Sequence, residues 1–480
     1  MQGVYSVAQV RAAEAALMAR QPDGQLMQQA AQALSGHCAQ LLGRSYGARV
    51  VLLVGAGNNG GDALFAGAEL ARRGAQVTAL LLDPQRAHAA ALAAFRRSGG
   101  CIGSAVAASV SGADLIVDGI VGIGGRAGLH GRAAELAELA GLAAATGAAV
   151  TVAVDIPSGV DADTGAAGAS AIRADVTVTF GALKPGVVVG AGADLAGEVR
   201  LVDLGLGAHL PPARTSVLEA TDVASLLPQP DASDDKYTRG LVGVVAGSPE
   251  YPGAGVLATG AALHGGAGMV RYLGLAPDPV CARYPEVVAH ADTRPHDVRV
   301  QAWVIGPGLG TDGAATSLLA DVLRSDVPVV VDADAITLVA RSPGLLRGRT
   351  APTVLTPHDR EFARIAGEPG SDRLAAVRAA AAELGVTILL KGNATVIADV
   401  DGSAFVNPTG TPWLATAGSG DVLSGLLGSL LASGLAAPLA AATASYVHGV
   451  AGQRAAAAGP PTAQDVLGAL RASWHAITVG

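Results

Sequence analysis

Apolar runs of strand length alternate with segments of helical length through most of the chain. In the first half, the predicted strands cover residues 50–54, 76–82, 114–118, 150–155, 176–180 and 199–202. Helices are predicted at 6–18, 26–42, 62–73 and 132–145, and a further helix after the strand at 76–82 is predicted to end at Phe95. Continuous apolar strands separated by helices are typical of a parallel sheet covered on both faces. The first half is therefore predicted to be a three-layer α/β domain.

The alternation breaks between residues 208 and 235. Four prolines lie in this segment, at Pro211, Pro212, Pro228 and Pro230, and the polar run 231–235 follows them. This composition is typical of a linker, here with a short helical piece. The alternation resumes at 240, with strands predicted at 242–246, 303–306, 327–332, 353–355, 387–391, 395–398 and 403–406, and a last helical layer at 421–456. We therefore predict α/β domains at 1–208 and 235–480, joined by a linker at 209–234.

Composition and charge exclude several classes of function. Half of the 480 residues are apolar, 15% are charged, 3% are aromatic, and the net charge is −8. The negative net charge leaves no basic face to bind phosphate groups, and the low aromatic content leaves few side chains to stack on bases. We therefore expect no nucleic-acid partner and no membrane partner. The uncharged stretch 422–447 is long enough to cross a bilayer, but Pro438 interrupts it, so two buried helices are predicted.

The cysteines and the first residues bear on the compartment. Cys38, Cys101 and Cys281 are far apart and lack the spacing of a metal site or a disulfide framework. The start of the chain lacks the basic and apolar regions of a signal peptide. We expect a cytoplasmic protein.

The first candidate site follows the strand at 50–54. Gly55, Gly57 and Gly60 satisfy the G-x-G-x-x-G pattern that holds a dinucleotide in Rossmann-like domains. The segment 58–62, Asn-Asn-Gly-Gly-Asp, adds two carboxamides and a carboxylate where a helix should meet the ligand. Side chains that donate and accept protons at this point indicate chemistry on a bound nucleotide.

Three more predicted strand ends carry polar residues: Asp118 with the glycine-rich loop 122–128, Asp155, and Lys184. Ligands of open α/β sheets bind beyond the carboxyl ends of the strands, so these residues are expected to converge. Oxygen ligands from Asn59, Asp118 and Ser158 would form a site for a hard monovalent cation. Asp155 is a candidate general acid or base. The loop could hold phosphate through its N–H groups, with Arg126 assisting.

The second candidate site lies at 418–421, Gly-Ser-Gly-Asp, before a long predicted helix. Its N–H groups are expected to form an anion hole, and Asp421 lies where a substrate hydroxyl would lose its proton during phosphoryl attack. The turn at 391–395 joins two predicted strands and is placed to contact nucleotide phosphates. The segment 356–362 supplies His358 and Glu361, and the turns 252–255 and 306–310 let a ligand approach the backbone.

Residues 1–208 resemble the NAD(P)H-hydrate epimerase domain. The resemblance rests on the motif at 58–62, the strand at 116–118 with its glycine loop, and the segments 155–165 and 179–186. It implies potassium bound by Asn59, Asp118 and Ser158. It also implies that the hydrated nicotinamide nucleotide contacts Asn58, Asn59, Gly60, Gly61, Asp62, Gly122, Ile123, Gly124, Gly125, Arg126, Ala127, Gly128 and Asp155. Gln28 and Gln29 depart from the family pattern, in a region of helix packing.

Residues 235–475 resemble the ribokinase-like, ADP/ATP-dependent NAD(P)H-hydrate dehydratase. The matching segments include 306–310, 332–335, 355–362, 391–395 and 415–421, whereas Asp235 replaces a histidine of the family. The resemblance implies Mg²⁺ with ADP or ATP, and Asp421 as the base. Its nucleotide contacts would be Lys391, Gly392, Asn393, Ala394, Thr395 and, within 411–420, Gly418, Ser419 and Gly420. Its contacts to the hydrated cofactor would be Ala254, Gly308, His358 and Asp421.

Together the two resemblances predict a bifunctional enzyme, an isomerase and a lyase, that repairs hydrated NADH and NADPH. The resemblance to bacterial members suggests ADP as the phosphoryl donor, and we expect a homo-oligomer, a tetramer or an octamer. An alternative is a small-molecule kinase of the hydroxymethylpyrimidine type with a non-catalytic N-terminal nucleotide-binding module. Another is an N-terminal domain that only binds. The complete set of Asn58–Asp62, Asp118 and Asp155 argues against the second alternative.

Overall fold

The computed structural model describes residues 1–103, 106–147, 149–290 and 293–479. It divides into two compact units, Gly3–Ala213 and Arg214–Gly480 with Met1–Gln2. Through residue 209 the strands are β1 (Gln2–Val4), β2 (Arg49–Val54), β3 (Gln76–Leu81), β4 (Cys101–Ile102), β5 (Leu115–Gly119), β6 (Val150–Val154), β7 (Val176–Phe180) and β8 (Glu198–Val202). The α-helices are α1 (Val7–Met18), α2 (Gln25–Leu42), α3 (Asn58–Arg72), α4 (Ala89–Arg97), α5 (Val106–Ser111), α6 (Arg132–Ala145), α7 (Pro185–Val188) and α8 (Gly190–Ala196).

The sheet of the N-terminal unit is parallel, in the order β4-β3-β2-β5-β6-β7-β8. Alternate residues of β2 enter two different cores: Leu52 packs with α2, α3 and α4, and Leu53 packs with α6. This period of two places helices on both faces of the sheet. The predicted three-layer parallel fold is confirmed. The strand order reverses between β2 and β5, which opens a crevice at their carboxyl ends.

Helix α3 begins earlier than the sequence pattern predicted. We expected it at 62, but its first residue is Asn58, and Gly57 precedes it with a φ of 92°. A positive φ is open to glycine and costs most other residues energy, so the chain turns sharply into the helix here. The polar motif is therefore the first turn of a helix.

From residue 214 onward the strands are β9 (Thr215–Val217), β10 (Leu241–Val245), β11 (Met269–Tyr272), β12 (Val288–Ala289), β13 (Ala302–Ile305), β14 (Val329–Val331), β15 (Thr353–Leu355), β16 (Thr387–Leu390), β17 (Thr395–Ala398) and β18 (Ala404–Asn407). The α-helices are α9 (Ala220–Leu226), α10 (Pro252–His264), α11 (Pro277–Arg283), α12 (Gly313–Leu323), α13 (Asp334–Arg341), α14 (Asp359–Ala366), α15 (Arg373–Leu384), α16 (Ser419–Ala432), α17 (Ala437–Ala456) and α18 (Ala463–Val479).

The C-terminal sheet runs β9-β18-β17-β16-β15-β14-β13-β10-β11-β12. Its pairs are parallel except β16–β17 and β17–β18, where the short connections make the strands antiparallel. The uncharged stretch 422–447 is divided between α16 and α17, as predicted, and α17 carries Pro438 in its first turn. None of the helices in the described part of the chain is long and apolar enough to cross a membrane.

The segment predicted as a linker is partly built into the C-terminal unit. Strand β9 pairs with β18, and α9 follows it. The apolar side chains of Leu218, Val223 and Leu227 are buried in the core of this unit. Their burial outweighs the local preference of the flanking prolines for an extended linker. The short helical piece predicted in this segment corresponds to α9, whereas strand β9 was not predicted.

Candidate active sites

The N-terminal unit has a cavity of about 970 Å³ at the carboxyl ends of β2, β5 and β6. Many of the residues predicted for the first site line it: Asn58, Asn59, Asp62, Gly122, Ile123, Gly124 and Asp155. Helix α1 and the turn before α2 contribute further side chains, among them Arg11 and Glu14. A volume of this size lies at the upper end of the range for small-molecule sites.

The glycines of the first motif allow close backbone contacts. A Cβ atom at Gly60 would lie 2.3 Å from the carbonyl oxygen of Gly55, and one at Gly55 would lie 1.8 Å from that of Ile120. Real Cβ atoms do not approach backbone oxygen so closely, so any other residue would force the strand and the helix apart. Gly60 and Gly61 are buried and do not line the cavity, so the substrate contacts predicted for them stay predictions.

Asp155 follows β6 with a φ of 67°, an uncommon value for a residue other than glycine. Its Oδ1 atom forms an ion pair with the Nζ atom of Lys184 at 2.5 Å. The same oxygen accepts from the Thr179 hydroxyl at 3.1 Å and from the Phe180 N–H at 3.2 Å. Lys184 also donates to Thr179 and to the Phe180 carbonyl, and its side chain is 1% exposed. The predicted acid or base is thus held in one position.

Asp62 lines the same cavity in a different environment. It is 9% exposed, and its Oδ1 atom has no hydrogen-bond partner among the described residues. Burial raises its pKa well above the ordinary value, and the charges of Asp155 and Glu14 raise it further. The pKa of Glu14 is raised as well, mainly by burial and then by Asp155. The cavity therefore favours a protonated carboxyl at Asp62.

The residues predicted to bind potassium lie together. The carboxylate of Asp118 accepts from the Ser158 hydroxyl at 2.6 Å, the Ser158 N–H at 2.8 Å and the Ile120 N–H at 3.2 Å. Asp118 is fully buried, and burial raises its pKa to about 6, although these bonds lower it. The Asn59 carboxamide, with its nitrogen donating to the Val154 carbonyl, accepts from the Gly122 N–H at 3.3 Å.

The second half of the glycine loop does not line the cavity. Gly125, Arg126, Ala127 and Gly128 are absent from its lining, and the Arg126 side chain is exposed. The N–H of Gly125 donates to the Gly122 carbonyl, and that of Gly128 donates to the Gly159 carbonyl. These two N–H groups stabilise the loop itself, so the phosphate contacts predicted for them stay predictions.

The C-terminal unit has a cavity of about 530 Å³ at the start of α16. The residues predicted for the nucleotide that line it are Lys391, Gly392, Asn393, Thr395, Gly418, Ser419 and Gly420, together with the predicted base Asp421 and His358. Ala394 is buried behind the turn. A Cβ atom at Gly410 would lie 2.1 Å from the Asn393 carbonyl oxygen, so these two loops touch through their backbones.

Lys391 is the cationic centre of this cavity. Its Nζ atom lies 2.9 Å from Asp332 Oδ1 and 3.8 Å from Glu361 Oε2. The other Asp332 oxygen accepts from the Ser424 hydroxyl at 2.7 Å, which ties the end of β14 to α16. Burial lowers the pKa of Lys391, but the charges of Asp332, Glu361 and Asp421 outweigh it and raise the pKa overall. The ammonium therefore stays charged and can attract phosphate.

Asp421 is in the first turn of α16, and Gly418 caps the helix with a φ of 90°. Burial raises its pKa to about 7; Asp332 adds to this rise, and Lys391 opposes it. A carboxylate with a pKa near neutral is suited to general-base catalysis. The first N–H groups of a helix have no partner within the helix, so an anion can bind beside this base.

Of the other residues predicted to contact the hydrated cofactor, one lines the C-terminal cavity and two do not. His358 lines the cavity and also caps α14, where its Nδ1 atom accepts from the Glu361 N–H at 3.2 Å. Ala254 and Gly308 do not line this cavity. They lie beside each other, because a Cβ atom at Gly308 would be 2.8 Å from that of Ala254.

Sequence reasoning gave no role to several side chains of the two sites. Lys184 was expected to lie at the first site but had no chemical role assigned, and Asp332 is the last residue of a predicted strand, which was the signal for it. His448 lies in α17 and lines the C-terminal cavity, and its Nε2 atom has no hydrogen-bond partner among the described residues. Burial lowers its pKa to about 4, so the ring is neutral. Glu14 lies within α1, where nothing in the sequence pattern marked it.

Comparison with known proteins agrees with both resemblances. Residues 242–468 match the family described as NAD(P)H-hydrate dehydratase, and residues 23–186 match the family described as YjeF-related protein N-terminus. Among solved structures, the ADP/ATP-dependent NAD(P)H-hydrate dehydratase of Bacillus subtilis, co-crystallised with ATP/Mg²⁺, is 30% identical with a TM-score of 0.51. The match covers 55% of this chain and 98% of that chain.

Relatives of full length carry both domains. The bifunctional NAD(P)H-hydrate repair enzyme of Mycobacterium leprae is 51% identical over 462 residues, which is 95% of this chain and 95% of the relative. That of Mycobacterium tuberculosis is 51% identical over 437 residues, 90% of this chain and 89% of the relative. The chain belongs to the family of bifunctional NAD(P)H-hydrate repair enzymes, with a dehydratase domain and an epimerase domain.

Proposed function

We propose that the C-terminal site dehydrates the S form of hydrated NADH or NADPH at the expense of ADP or ATP. The N-terminal site interconverts the R and S forms and so supplies the epimer that the C-terminal site consumes. The observation that carries this proposal is the position of Asp421, a base with a pKa of about 7, in one cavity with the charged Lys391. A kinase that releases a phosphorylated product is the less supported alternative.

In the C-terminal site, Asp421 removes the proton from the C6 hydroxyl of the hydrated nicotinamide ring. The hydroxyl oxygen attacks the terminal phosphoryl group of the nucleotide and displaces the shortened nucleotide. The C6–O bond then breaks, phosphate leaves with its electron pair, and C5 loses a proton to solvent, so that the C5–C6 double bond of the reduced nicotinamide forms. Lys391 and the N–H groups at the start of α16 stabilise the negative charge of the phosphates. The products are NADH or NADPH, phosphate, and AMP from ADP or ADP from ATP.

The residues present fit Mg²⁺ only as an ion that comes with the nucleotide. Within the described part of the chain, no three His, Cys, Asp or Glu side chains form a group that could hold a metal ion. Mg²⁺ commonly binds through one or two carboxylates and substrate phosphates, and keeps several waters. Asp332, which lines the cavity with its Oδ1 atom 2.9 Å from the Nζ atom of Lys391, is the carboxylate that we propose for this contact. The ion would neutralise phosphate charge during transfer.

In the N-terminal site, we propose that potassium binds Asn59, Asp118 and Ser158, beside the hydrated nucleotide. The fit rests on Asp118, a fully buried carboxylate whose hydrogen-bond donors are all uncharged. Uncharged donors do not fully offset the burial of this carboxylate, whose pKa is raised to about 6, and a cation beside it would stabilise its charge. The three residues supply oxygen atoms, which hard cations prefer. The ion would hold the ends of β5 and β6 in place under the nucleotide.

One pair of variants tests the division of labour between the sites. Asp155→Ala should stop R-to-S conversion and leave dehydration of the S hydrate intact, and Asp421→Asn should do the reverse. On a mixture of epimers with ADP or ATP, absorbance of the reduced nicotinamide should recover fully with the wild type. With Asp155→Ala it should recover quickly only for the S fraction, and the rest should follow at the slow spontaneous rate.

The control is the exposed Glu383→Gln, which removes one charge from a residue that lines neither cavity and should change neither activity. Loss of both activities in both folded variants would contradict the assignment. A stable phosphorylated product without recovery of the reduced nicotinamide would instead support the kinase alternative. Substituting ATP for ADP in the same assay establishes which donor this chain uses.

We also propose a cytoplasmic homo-oligomer, a tetramer or an octamer. The three cysteines are free, which fits a reducing compartment. Light scattering checks the assembly: the mass should be four or eight times the 47.1 kDa of one chain.

A further inference from the structure

Epimerisation at C6 of the hydrated ring needs one group that takes a proton and another that gives one. The C6 atom carries both a hydroxyl group and the ring nitrogen N1, so it is a hemiaminal carbon. Opening the ring at this carbon requires loss of the hydroxyl proton and protonation of N1. Two carboxyl groups with different protonation states meet that need, and environments that separate their pKa values mark such pairs.

The N-terminal cavity holds such a pair, and the two members differ in their partners. Asp155 is paired with the ammonium of Lys184, and the same carboxylate oxygen accepts two further hydrogen bonds. Asp62 is nine-tenths buried and lines the same cavity, and its Oδ1 atom has no partner among the described residues. An unpaired carboxylate would be costly there, whereas a neutral carboxyl group has a proton to donate.

We propose that Asp62 is the proton donor of the epimerase reaction and acts with Asp155 as the base, an inference that rests on the proposed function of this site. Lys184 is a positioning residue: it pairs with Asp155 and holds it in one position, and it does not meet the substrate.

The proposed step conserves atoms and electrons. Asp155 takes the proton of the C6 hydroxyl, and the C6–O bond becomes an aldehyde carbonyl. The C6–N1 bond breaks, its electron pair goes to N1, and N1 receives the proton of Asp62. Rotation about the C5–C6 bond presents the other face of the aldehyde. N1 then attacks C6, returns its proton to Asp62, and the oxygen regains the proton held by Asp155.

The charged and titratable groups around Asp62 come from several elements. They are Arg11 and Glu14 of α1, Asp23 before α2, His88 before α4, and the Asp155–Lys184 pair. Glu14 and Asp155 both favour the protonated form of Asp62. The raised pKa has a definite sign: the donor form is complete at low pH and is lost as the pH rises through the folded-state value. The epimerisation rate should therefore decline on the alkaline side.

The test compares Asp62→Asn with the wild type, in the full chain and without added nucleotide, so that the dehydratase reaction does not run. Asparagine keeps the shape and neutrality of a protonated aspartate but cannot give up a proton in the same way. We expect kcat for R-to-S conversion, measured by chromatography of the epimers, to fall about 10²–10⁴-fold, the usual effect of losing an acid or base. KM should change little, and the alkaline decline should disappear.

Two controls separate catalysis from structure. Glu138→Gln, an exposed charge removal on α6, should behave as the wild type. The Asp62→Asn preparation should dehydrate S hydrate at the wild-type rate once ADP or ATP is added, and its melting temperature should not fall. If the wild type itself fails to accelerate epimerisation, the proposed function of the site is wrong. If the wild type is active and Asp62→Asn keeps both its rate and its alkaline decline, the epimerase stands and Asp62 is not the donor.

Discussion

Replacing Asp421 by asparagine should make the C-terminal unit more stable and catalytically inactive. The structure raises the pKa of this carboxyl from 3.8 to about 7, mainly through burial. An acid with a raised folded-state pKa destabilises the fold as the pH rises from the unfolded value to the folded one. Linkage gives about 2 kcal/mol of destabilisation at pH 5 and about 4 kcal/mol at pH 8, as upper limits. The neutral asparagine avoids this destabilisation.

The assay follows both properties across pH. Thermal unfolding of the Asp421→Asn variant should show a melting temperature above that of the wild type, with a larger difference at pH 8 than at pH 5. The dehydration rate should fall about 10²–10⁴-fold, whereas nucleotide binding should persist. For the wild type, kcat/KM should rise about tenfold from pH 6 to pH 8, because the ionised fraction rises from about 0.1 to about 0.9.

The exposed Glu383→Gln is the matched control and should change neither the stability curve nor the pH profile. The reasoning is refuted if the variant has near-normal turnover. It is also refuted if the wild-type kcat/KM does not change between pH 6 and pH 8. A variant that is less stable at pH 8 than at pH 5, relative to the wild type, would show that the site does not destabilise the ionised carboxylate.

Three further changes test other parts of the two sites. Asp118→Ala should abolish the response of epimerisation to potassium, measured by exchanging potassium for choline at constant ionic strength, while the domain stays folded by circular dichroism. Gly410→Ala should weaken nucleotide binding, measured by calorimetry, about tenfold or more, which is equivalent to ~1.4 kcal/mol, because the new methyl group meets the Asn393 carbonyl. Gly313→Ala is the control: it has open space around it and should not weaken binding. His448→Leu should raise KM for the nucleotide about fivefold with little change in kcat, as expected if its unpaired Nε2 atom bonds the nucleotide.

The fold and the core of both sites could be predicted because strand ends are visible in the sequence. Asp118 and Asp155 follow apolar runs, and parallel strands bring their carboxyl ends to one edge of the sheet. Lys391 likewise ends a predicted strand, whereas Asp421 was identified by the Gly-Ser-Gly-Asp turn before a predicted helix; both line the C-terminal cavity. The continuous apolar runs also predicted that the strands are parallel, because such strands are buried on both faces of the sheet.

Other features depend on contacts that sequence spacing does not encode. Glu14 lines the cavity from α1, which is distant in sequence from the motifs at the strand ends, so no local pattern marks it. The early start of α3 depends on the backbone of Gly57, whose positive φ only tertiary structure reveals. Strand β9 was missed because prolines dominate its surroundings, whereas its place in the sheet is fixed by pairing with a strand near residue 404.

The positive φ angles of Asp155 (67°) and Ala333 (50°) have a consequence for engineering thermostable forms. Each residue lines one of the two cavities, and a non-glycine residue in such a conformation costs roughly 1–3 kcal/mol. Glycine at 333 would remove only a methyl group and relieve that strain, whereas glycine at 155 would also remove the carboxylate on which epimerisation depends. Directed evolution for heat resistance should therefore find the first substitution readily, and should find the second only in lineages that no longer need the epimerase.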